Sequence, residues 1–281
     1  MHYLSACCIA KKEHPYLREW VEYHLQVGVE SFIVYDDGDP GDAPLRELLR
    51  DHVERGTVTV ERSIGTTRQQ MRCYDDCLAR HGAGSQWIAF IDVDEFLVPR
   101  SGADVRELLR PREAEAGLAI SWLTFGSSGH VARPRGLVTR NFVRRSKAGF
   151  ENNTHVKSVV QPRYAVAARN PHAFDFQPGF RCVDERGRVV PDAFNANTTE
   201  SIQLNHYFTK SRAEFMEKAA RGRADGGRFL KRQFKRFADE DEMFGWYDRH
   251  CSVVEDTFVH RYIAPLERAT AAAPGSSGAV P

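Results

Sequence analysis

The sequence predicts an α/β protein with a Rossmann-type, mostly parallel central sheet, helices on both faces and a helical cap at the C-terminal end. Three observations carry this. Short apolar runs alternate with amphipathic stretches over the first hundred residues. The runs are continuously apolar, as strands covered on both faces are. Acidic residues follow the runs instead of interrupting them.

Tyr3 to Ile9 is the first apolar run. A helical pattern from about Pro15 puts Tyr16, Leu17, Trp20, Val21, His24 and Val27 on one face and closes at Gly28. The strand SFIVYDD, the helix PLRELLRDHVERG and the strand TVTVER come next, then the helix TTRQQMRCYDDCLARHG and the strand QWIAFIDVDEF. Four such β-α steps imply an open, mostly parallel sheet. Beyond Pro99 the beat gives way to short strands and loops, including GLAISWLTFGSSGH, GLVTRNFVRRS, HVKSVVQPRYAV and SIQLNHYF. Ser211 to about Arg268 reads as helical, and ATAAAPGSSGAVP as a loose tail.

The chain has 281 residues, and 39 Lys+Arg against 38 Asp+Glu leave a formal charge of +1. This is the profile of a folded globule and excludes bulk electrostatic coating of nucleic acid or membrane. No RRM, KH or helix-turn-helix signature is present, so no nucleic-acid partner is expected. Cysteines at 7, 8, 73, 77, 182 and 251 match neither a disulfide framework nor a zinc cage, and Cys73 and Cys77 suit buried helix filler. Lysines follow the N-terminal apolar run, the reverse of a secretory signal, and no apolar segment approaches the ~20 residues that a bilayer needs. A cytoplasmic protein is expected. From Lys210 to Phe237 there are ten Lys/Arg against three acids, a stretch that reads as a solvated helical cap or, as the alternative, suits peripheral contact with the inner face of the cell membrane.

Open α/β sheets bind ligands at the carboxyl ends of their strands. Asp36 and Asp37 stand at one such end, Glu61 and Arg62 at another, and Asp92, Asp94 and Glu95 at a third. The Asp-x-Asp spacing occurs three times, but the pairs Asp37/Asp39 and Asp239/Asp241 lie in a turn and a solvated run. Only Asp92 and Asp94 are delivered by an apolar strand. Mg²⁺ or Mn²⁺ takes one or two protein carboxylates and leaves its other positions to water and phosphates, so a metal holding a diphosphate suits this pair. Capping of the following turn is the competing account.

The ordered set CCIAKKEHPYLREWVEYHLQVGVESFIVYDD, QQMRCYDDCL, WIAFIDVDEFLVP, FGSSGH, HVKSVVQP, NPHAF and LNHYFTKS, over about residues 1–225, resembles the GT-A fold glycosyltransferases. The likeness is to family 92 and related bacterial family-2-like enzymes. It implies a GT-A-like catalytic domain over 1–210, with the nucleotide-sugar half at about 1–100 and the acceptor and metal half at about 101–210. A helical cap over 211–268 and a flexible tail over 269–281 would follow. It also implies a UDP-sugar donor, with galactose the sugar it points to, a divalent Mn²⁺ or Mg²⁺, and inverting transfer to a glycan or lipid-linked glycan in surface polysaccharide or glycolipid synthesis.

By the same resemblance Asp92 and Asp94 hold the metal, and His206, ending SIQLNHYF, is its third contact. Lys157 and Lys210 would neutralise the diphosphate, with plain surface lysines as the alternative. Asp36 and Asp37 match the position that meets base and ribose, and Arg68 and Gln70 face the nucleotide unless capping by Thr66 or Thr67 explains that segment. The base is expected between the metal strand and the late histidine, where Glu151, His172, Asp175 and Asp184 lie. Asp175 is favoured and His172 next, because NPHAFDF joins a Pro-led turn to aromatics and two titratable groups. No clear Glu-Asp pair stands at the expected base position. Trp122 and Phe125 suit an acceptor wall, with hydrogen bonds from Ser127, Ser128 and His130; core aromatics and an ordinary turn are the alternative. Two other functions stay open, a metal-dependent phosphohydrolase or nucleotidyltransferase and a non-catalytic nucleotide-sugar binder.

Overall fold

The structure is a computed structural model and describes residues 1–65, 67–102, 104–221 and 237–271. Residues 222–236 of the basic stretch, the tail from 272 and Thr66 lie outside the described residues. The first half follows the expected beat. β1 (His2–Ala10) leads to α1 (His14–Gln26), then β2 (Ser31–Asp36), the short helices α2 (Leu45–Leu48) and α3 (Arg50–Glu54), β3 (Val58–Arg62), α4 (Gln69–His81) and β4 (Ser85–Phe90). The helix expected over 44–56 is broken at Leu49, whose φ of −111° and ψ of 23° lie off the helical values. Gly28 ends the first helical segment at φ +99°, and a Cβ there would stand 2.0 Å from Asp104 Oδ1, so the site requires glycine on both counts.

The largest departure from expectation lies at 86–96, which is two strands rather than one. β4 stops at Phe90 and β5 (Glu95–Pro99) starts after a turn. α5 (Val105–Leu109), β6 (Gly117–Thr124), α6 (Val138–Asn141), β7 (Arg144–Arg145), β8 (Val156–Val160), β9 (Ala165–Ala168), β10 (Phe174–Phe176), β11 (Cys182–Val183) and β12 (Ile202–His206) follow. α7 (Arg212–Arg221), α8 (Glu240–Cys251), β13 (Val254–Glu255) and α9 (Ile263–Ala271) complete the described chain. The central sheet runs β3-β2-β1-β4-β8-β6-β12-β5, with β11 beside β6. β3, β2, β1 and β4 are mutually parallel, β8 opposes both its neighbours, β12 is parallel to β6, and β5 opposes β12. This is the α/β, mostly parallel sheet that the sequence predicts, extended by strands from its second half.

Side-chain alternation splits the core in two. Leu4, Ala6, Cys8 and Ala10 of β1 pack with Trp20, Tyr23, Phe32, Phe96 and Leu266. Cys7 and Ile9 pack the other way, with Tyr35, Cys73, Tyr74, Cys77 and Phe90. All six cysteines are buried and unpaired. α9 joins the first core through Ile263 and Leu266, while α7 and α8 share a smaller cluster of Phe215, Met243, Tyr247 and Cys251. Among the described residues no helix is long and apolar enough to cross a membrane.

β5 ends the sheet, and an uncovered edge strand would leave its backbone groups unpaired. α1 covers it with side chains. Trp20 Nε1 donates to Glu95 O at 2.9 Å, Tyr23 Oη donates to Leu97 O at 2.9 Å, and Leu97 N donates to His24 Nε2 at 3.2 Å. His24 Nδ1 donates to Trp20 O at 2.8 Å, which fixes the tautomer that leaves Nε2 free to accept. Burial pushes the His24 imidazole down to about 3, against the pull of that carbonyl. The unfolded chain therefore takes up a proton between about pH 6.5 and 3 that the folded chain refuses. This part of the stability is complete above pH 6.5 and falls with pH, by about 1.4 kcal/mol per unit at most. Urea unfolding at pH 7 and pH 5 is expected to show a shallower acid loss for His24→Gln than for the wild type; equal losses would refute the assignment.

Candidate active site

The turn between β4 and β5 puts four consecutive residues to different uses. Val93 is buried in the core, while Asp92 and Asp94 are partly exposed at the ligand edge. Glu95 is fully buried and closes the turn twice, its N–H donating to Asp92 O at 3.0 Å and its Oε2 accepting from Asp92 N at 2.8 Å. Ile91 N donates to Cys7 O, and Tyr207 N to Asp94 O at 2.8 Å, so β1 and the end of β12 hold the turn from either side.

Each aspartate has its own lysine. Lys157, 1% exposed, places Nζ 2.8 Å from Asp92 Oδ2 and 3.6 Å from Glu95 Oε2. Gln70 Nε2 donates to Asp92 Oδ1 at 2.7 Å and to Tyr74 Oη at 2.9 Å. Lys218 of α7 donates to Asp94 Oδ2 at 2.6 Å and lies 4.5 Å over the Phe208 ring. Burial alone would raise the Asp94 carboxyl, but Lys218, His206 and Lys210 outweigh it and hold the group well below the usual carboxylate range. Glu95 goes the other way. Burial raises its carboxyl well above the usual range despite Lys157, with Asp92 and Asp94 adding to the rise, and its Oε1 has no hydrogen-bond partner. Burial would lower Lys157, and Asp92 with Glu95 reverses the sign.

The sheet register brings His206 to the same place. It pairs with Glu95 on β5 and Thr124 on β6, and its Nε2 lies 3.8 Å from Asp94 Oδ1. Burial, against the pull of Asp94, pushes its imidazole down to about 3, so the ring is neutral. Its Nδ1 is buried without a partner. Lys210, held at φ +50°, is buried with Nζ 4.2 Å over the Tyr16 ring, and burial lowers its ammonium despite Glu13 and Asp94.

Trp122 stands among histidines. Its ring centroid is 4.1 Å from His206, 4.8 Å from His155 and 5.3 Å from His172. His172 Nδ1 donates to Val156 O at 2.8 Å, and burial and the nearby Lys157 charge push the ring well below its ordinary value. At the β2 end, Asp37 Oδ1 accepts from Ser63 Oγ at 2.8 Å and from Gln69 Nε2. Asp37 Oδ2 is buried without a hydrogen bond, 3.7 Å from Lys11 Nζ. Asp36 instead accepts from Gly38 N and Leu45 N and so shapes its own loop. Arg68, at φ +51°, starts α4 with no side-chain cap bond, exposed beside Gln69 and Gln70.

Other expected residues are not drawn into this cluster. Asp175 sits on the β9–β10 hairpin, about half exposed, and pairs with Arg169 at 2.5 Å, while its neighbour Phe174 packs on Tyr74 and Phe90. Asp184 is fully buried and bound by Arg188 and Asn195. Phe125 is fully buried against Tyr207. Ser127 and Ser128 are spent on the turn: Ser127 N donates to Asp248 Oδ1, Ser127 Oγ accepts from Gly129 N, and Ser128 Oγ accepts from Val143 N and Arg144 N. His130 packs on Phe142 and meets Asn141 O at 3.2 Å. The loop FGSSGH is thus pinned to α6 and α8.

Among the described residues, the three side chains with ligand atoms all within 4.8 Å of one another are Glu22, Asp51 and His52, not Asp92, Asp94 and His206. They line a cavity of about 320 Å³ with Arg55 and Thr57. Arg18 and Arg55 already neutralise their carboxylates. Sequence reasoning missed two residues of the main cluster. Lys218 was one cation among ten, and nothing local marks it. His155 had a signal, because it lies two residues before Lys157 and so on the same strand face.

A family model described as Glycosyltransferase family 92 matches residues 3–241. A glycosyltransferase family 92 protein of Ricinus communis is 26% identical over 214 residues, which cover 73% of this chain and 38% of that protein. A galactan beta-1,4-galactosyltransferase of Arabidopsis thaliana is 29% identical over 174 residues, 56% of this chain and 31% of that protein. The chain therefore matches about a third of these relatives' length. Among solved structures, S. aureus TarS 1-349 in complex with UDP-GlcNAc aligns with a TM-score of 0.39 at 10% identity, over 57% of this chain and 45% of that one.

Lys157 is the counter-charge that Asp92 and buried Glu95 share. Removing one partner of a buried pair typically costs about 3–5 kcal/mol. Lys157→Met is expected to lose about that much stability in urea unfolding, and Lys157→Met with Glu95→Gln to regain part of it. No recovery in the double variant would show that Lys157 acts through packing alone.

Proposed function

Because the chain belongs to glycosyltransferase family 92, we propose that it transfers a sugar from a UDP-sugar to a glycan hydroxyl, with inversion at the anomeric carbon. The observation that carries the reading is the charge arrangement at the β4–β5 turn, where two aspartates meet Lys157, Lys210 and Lys218 beside a neutral histidine. Galactose as the transferred sugar rests on the similarity to the Arabidopsis galactosyltransferase, and a surface polysaccharide or glycolipid is the product class in this reading.

Asp94 and His206 suit a divalent cation. The carboxylate stays ionised, the imidazole stays neutral with a buried nitrogen lacking a partner, and a hard cation completes its shell with phosphate oxygens and water. Bound there, Mn²⁺ or Mg²⁺ supplies Lewis-acid stabilisation of the leaving diphosphate. Lys157, Lys210 and Lys218 add fixed positive charge, and an arriving diphosphate competes with the aspartates for them. Asp37 Oδ2, buried without a hydrogen bond, suits a uracil N–H or a ribose hydroxyl. His172 is the base in this reading. Its Nδ1–H is tied to Val156 O, so the lone pair is on Nε2, beside Trp122.

Incubation with UDP-galactose, Mn²⁺ and a β-1,4-linked galacto-oligosaccharide tests the proposal. Elongation of the oligosaccharide is expected, and Asp94→Ala is expected to lower it by about a hundredfold or more. Phosphate release from simple esters without transfer would place the protein among phosphohydrolases. UDP binding without turnover would make it a binder.

A further inference from the structure

Four rings form a continuous row that leads out from His206. His206 lies against Trp122 at 4.1 Å, Trp122 against His155 at 4.8 Å and an interplanar angle of 19°, and His155 against Phe194 at 4.6 Å. Exposure rises along the row, from 7% at His206 to 59% at Phe194. Phe194 is exposed yet fixed. Its loop is tied to the chain entering β8, with Val156 N donating to Ala193 O at 3.0 Å and Asn195 N donating to Thr154 O at 2.8 Å. Asn197 Nδ2 adds bonds to Trp122 O and Asn153 O. A rigid loop that offers a large aromatic ring to solvent leaves apolar surface that burial of a ligand would recover.

The polar atoms along the row complement hydroxyl groups. His155 Nδ1 donates to Asn152 O at 3.0 Å and His172 Nδ1 to Val156 O at 2.8 Å, so both rings carry an accepting lone pair on Nε2. Trp122 Nε1–H is buried on the same row without a hydrogen-bond partner among the described residues. Burial pushes the His155 and His172 imidazoles below their ordinary value. Aromatic faces with isolated donors and acceptors and no net charge are what the C–H faces and hydroxyls of a neutral sugar chain require.

We propose that Trp122, His155, His172 and Phe194 form an extended acceptor subsite for a neutral glycan chain, with Phe194 stacking on a sugar unit beyond the reacting one. This rests on the glycosyltransferase reading and adds where the acceptor runs and that it is uncharged. The test is a glycan array carrying neutral and anionic oligosaccharides, probed with wild-type protein and Phe194→Ala, with UDP affinity measured on both. Binding to neutral glycans, weakened about tenfold in the variant at wild-type UDP affinity, is the expected result. Equal glycan binding by both proteins, binding to anionic glycans alone, or no glycan binding at intact UDP affinity overturns the subsite. Failure of the wild type to bind UDP overturns the glycosyltransferase reading instead.

Discussion

The ammonium of Lys157 is the constraint on which the rest of the site depends. Three of four consecutive residues, 92 to 95, are acids, and one of them is wholly buried. Such a turn repels itself unless a cation is placed inside it, and desolvated charge is stable only when paired and hydrogen-bonded. Lys157 meets both Asp92 and Glu95 from β8, a strand that opposes its two neighbours in the sheet. The antiparallel insertion of β8 between β4 and β6 therefore has an electrostatic role. It brings a lysine up beneath the acidic turn from a direction that the parallel strands cannot supply.

The turn is also held mechanically. β5 leaves it and becomes the sheet edge, where Trp20, Tyr23 and His24 of α1 bond the backbone groups that a further strand would have taken. β12 covers the other side, and its register sets His206 opposite Glu95. A slip of one residue would exchange His206 for Asn205 or Tyr207 and turn every side chain of the strand over. Helix α1, far from the chemistry in sequence, thus helps to fix where the acidic pair points.

The first half of the fold was legible because buried parallel strands are continuously apolar and helices between them keep their period. The break at Asp92–Asp94 was not, because Val93, Phe96 and Leu97 carry on the apolar run and only the bonds between Glu95 and Asp92 show that the chain turns. Asp92, Asp94, Lys157 and His206 come together in space, and each was readable as a polar residue at or near a strand end. Lys218 was hidden because a helix in a basic stretch offers many equivalent cations, and only the packing of α7 selects one. Asp175 and the serines of FGSSGH had the right chemistry for a site, but Arg169 and the backbone of neighbouring turns already occupy them. Local sequence reports which groups a residue carries and not which groups have already claimed it.

The two sides of the cluster have opposite electrostatic character, and this follows from what each would have to hold. Around Asp92 and Asp94 the side chains are charged and balanced by lysines, which suits a ligand that carries negative charge and gains more as its bond breaks. Around Trp122 burial strips the histidines of charge, and rings face one another across 4 to 5 Å. Lys157 contributes to both sides, since the same ammonium that stabilises the aspartates also helps to depress His155 and His172. One buried cation therefore pairs with Asp92 on one side and disfavours imidazolium on the other, which suits a diphosphate at the first and an uncharged hydroxyl at the second.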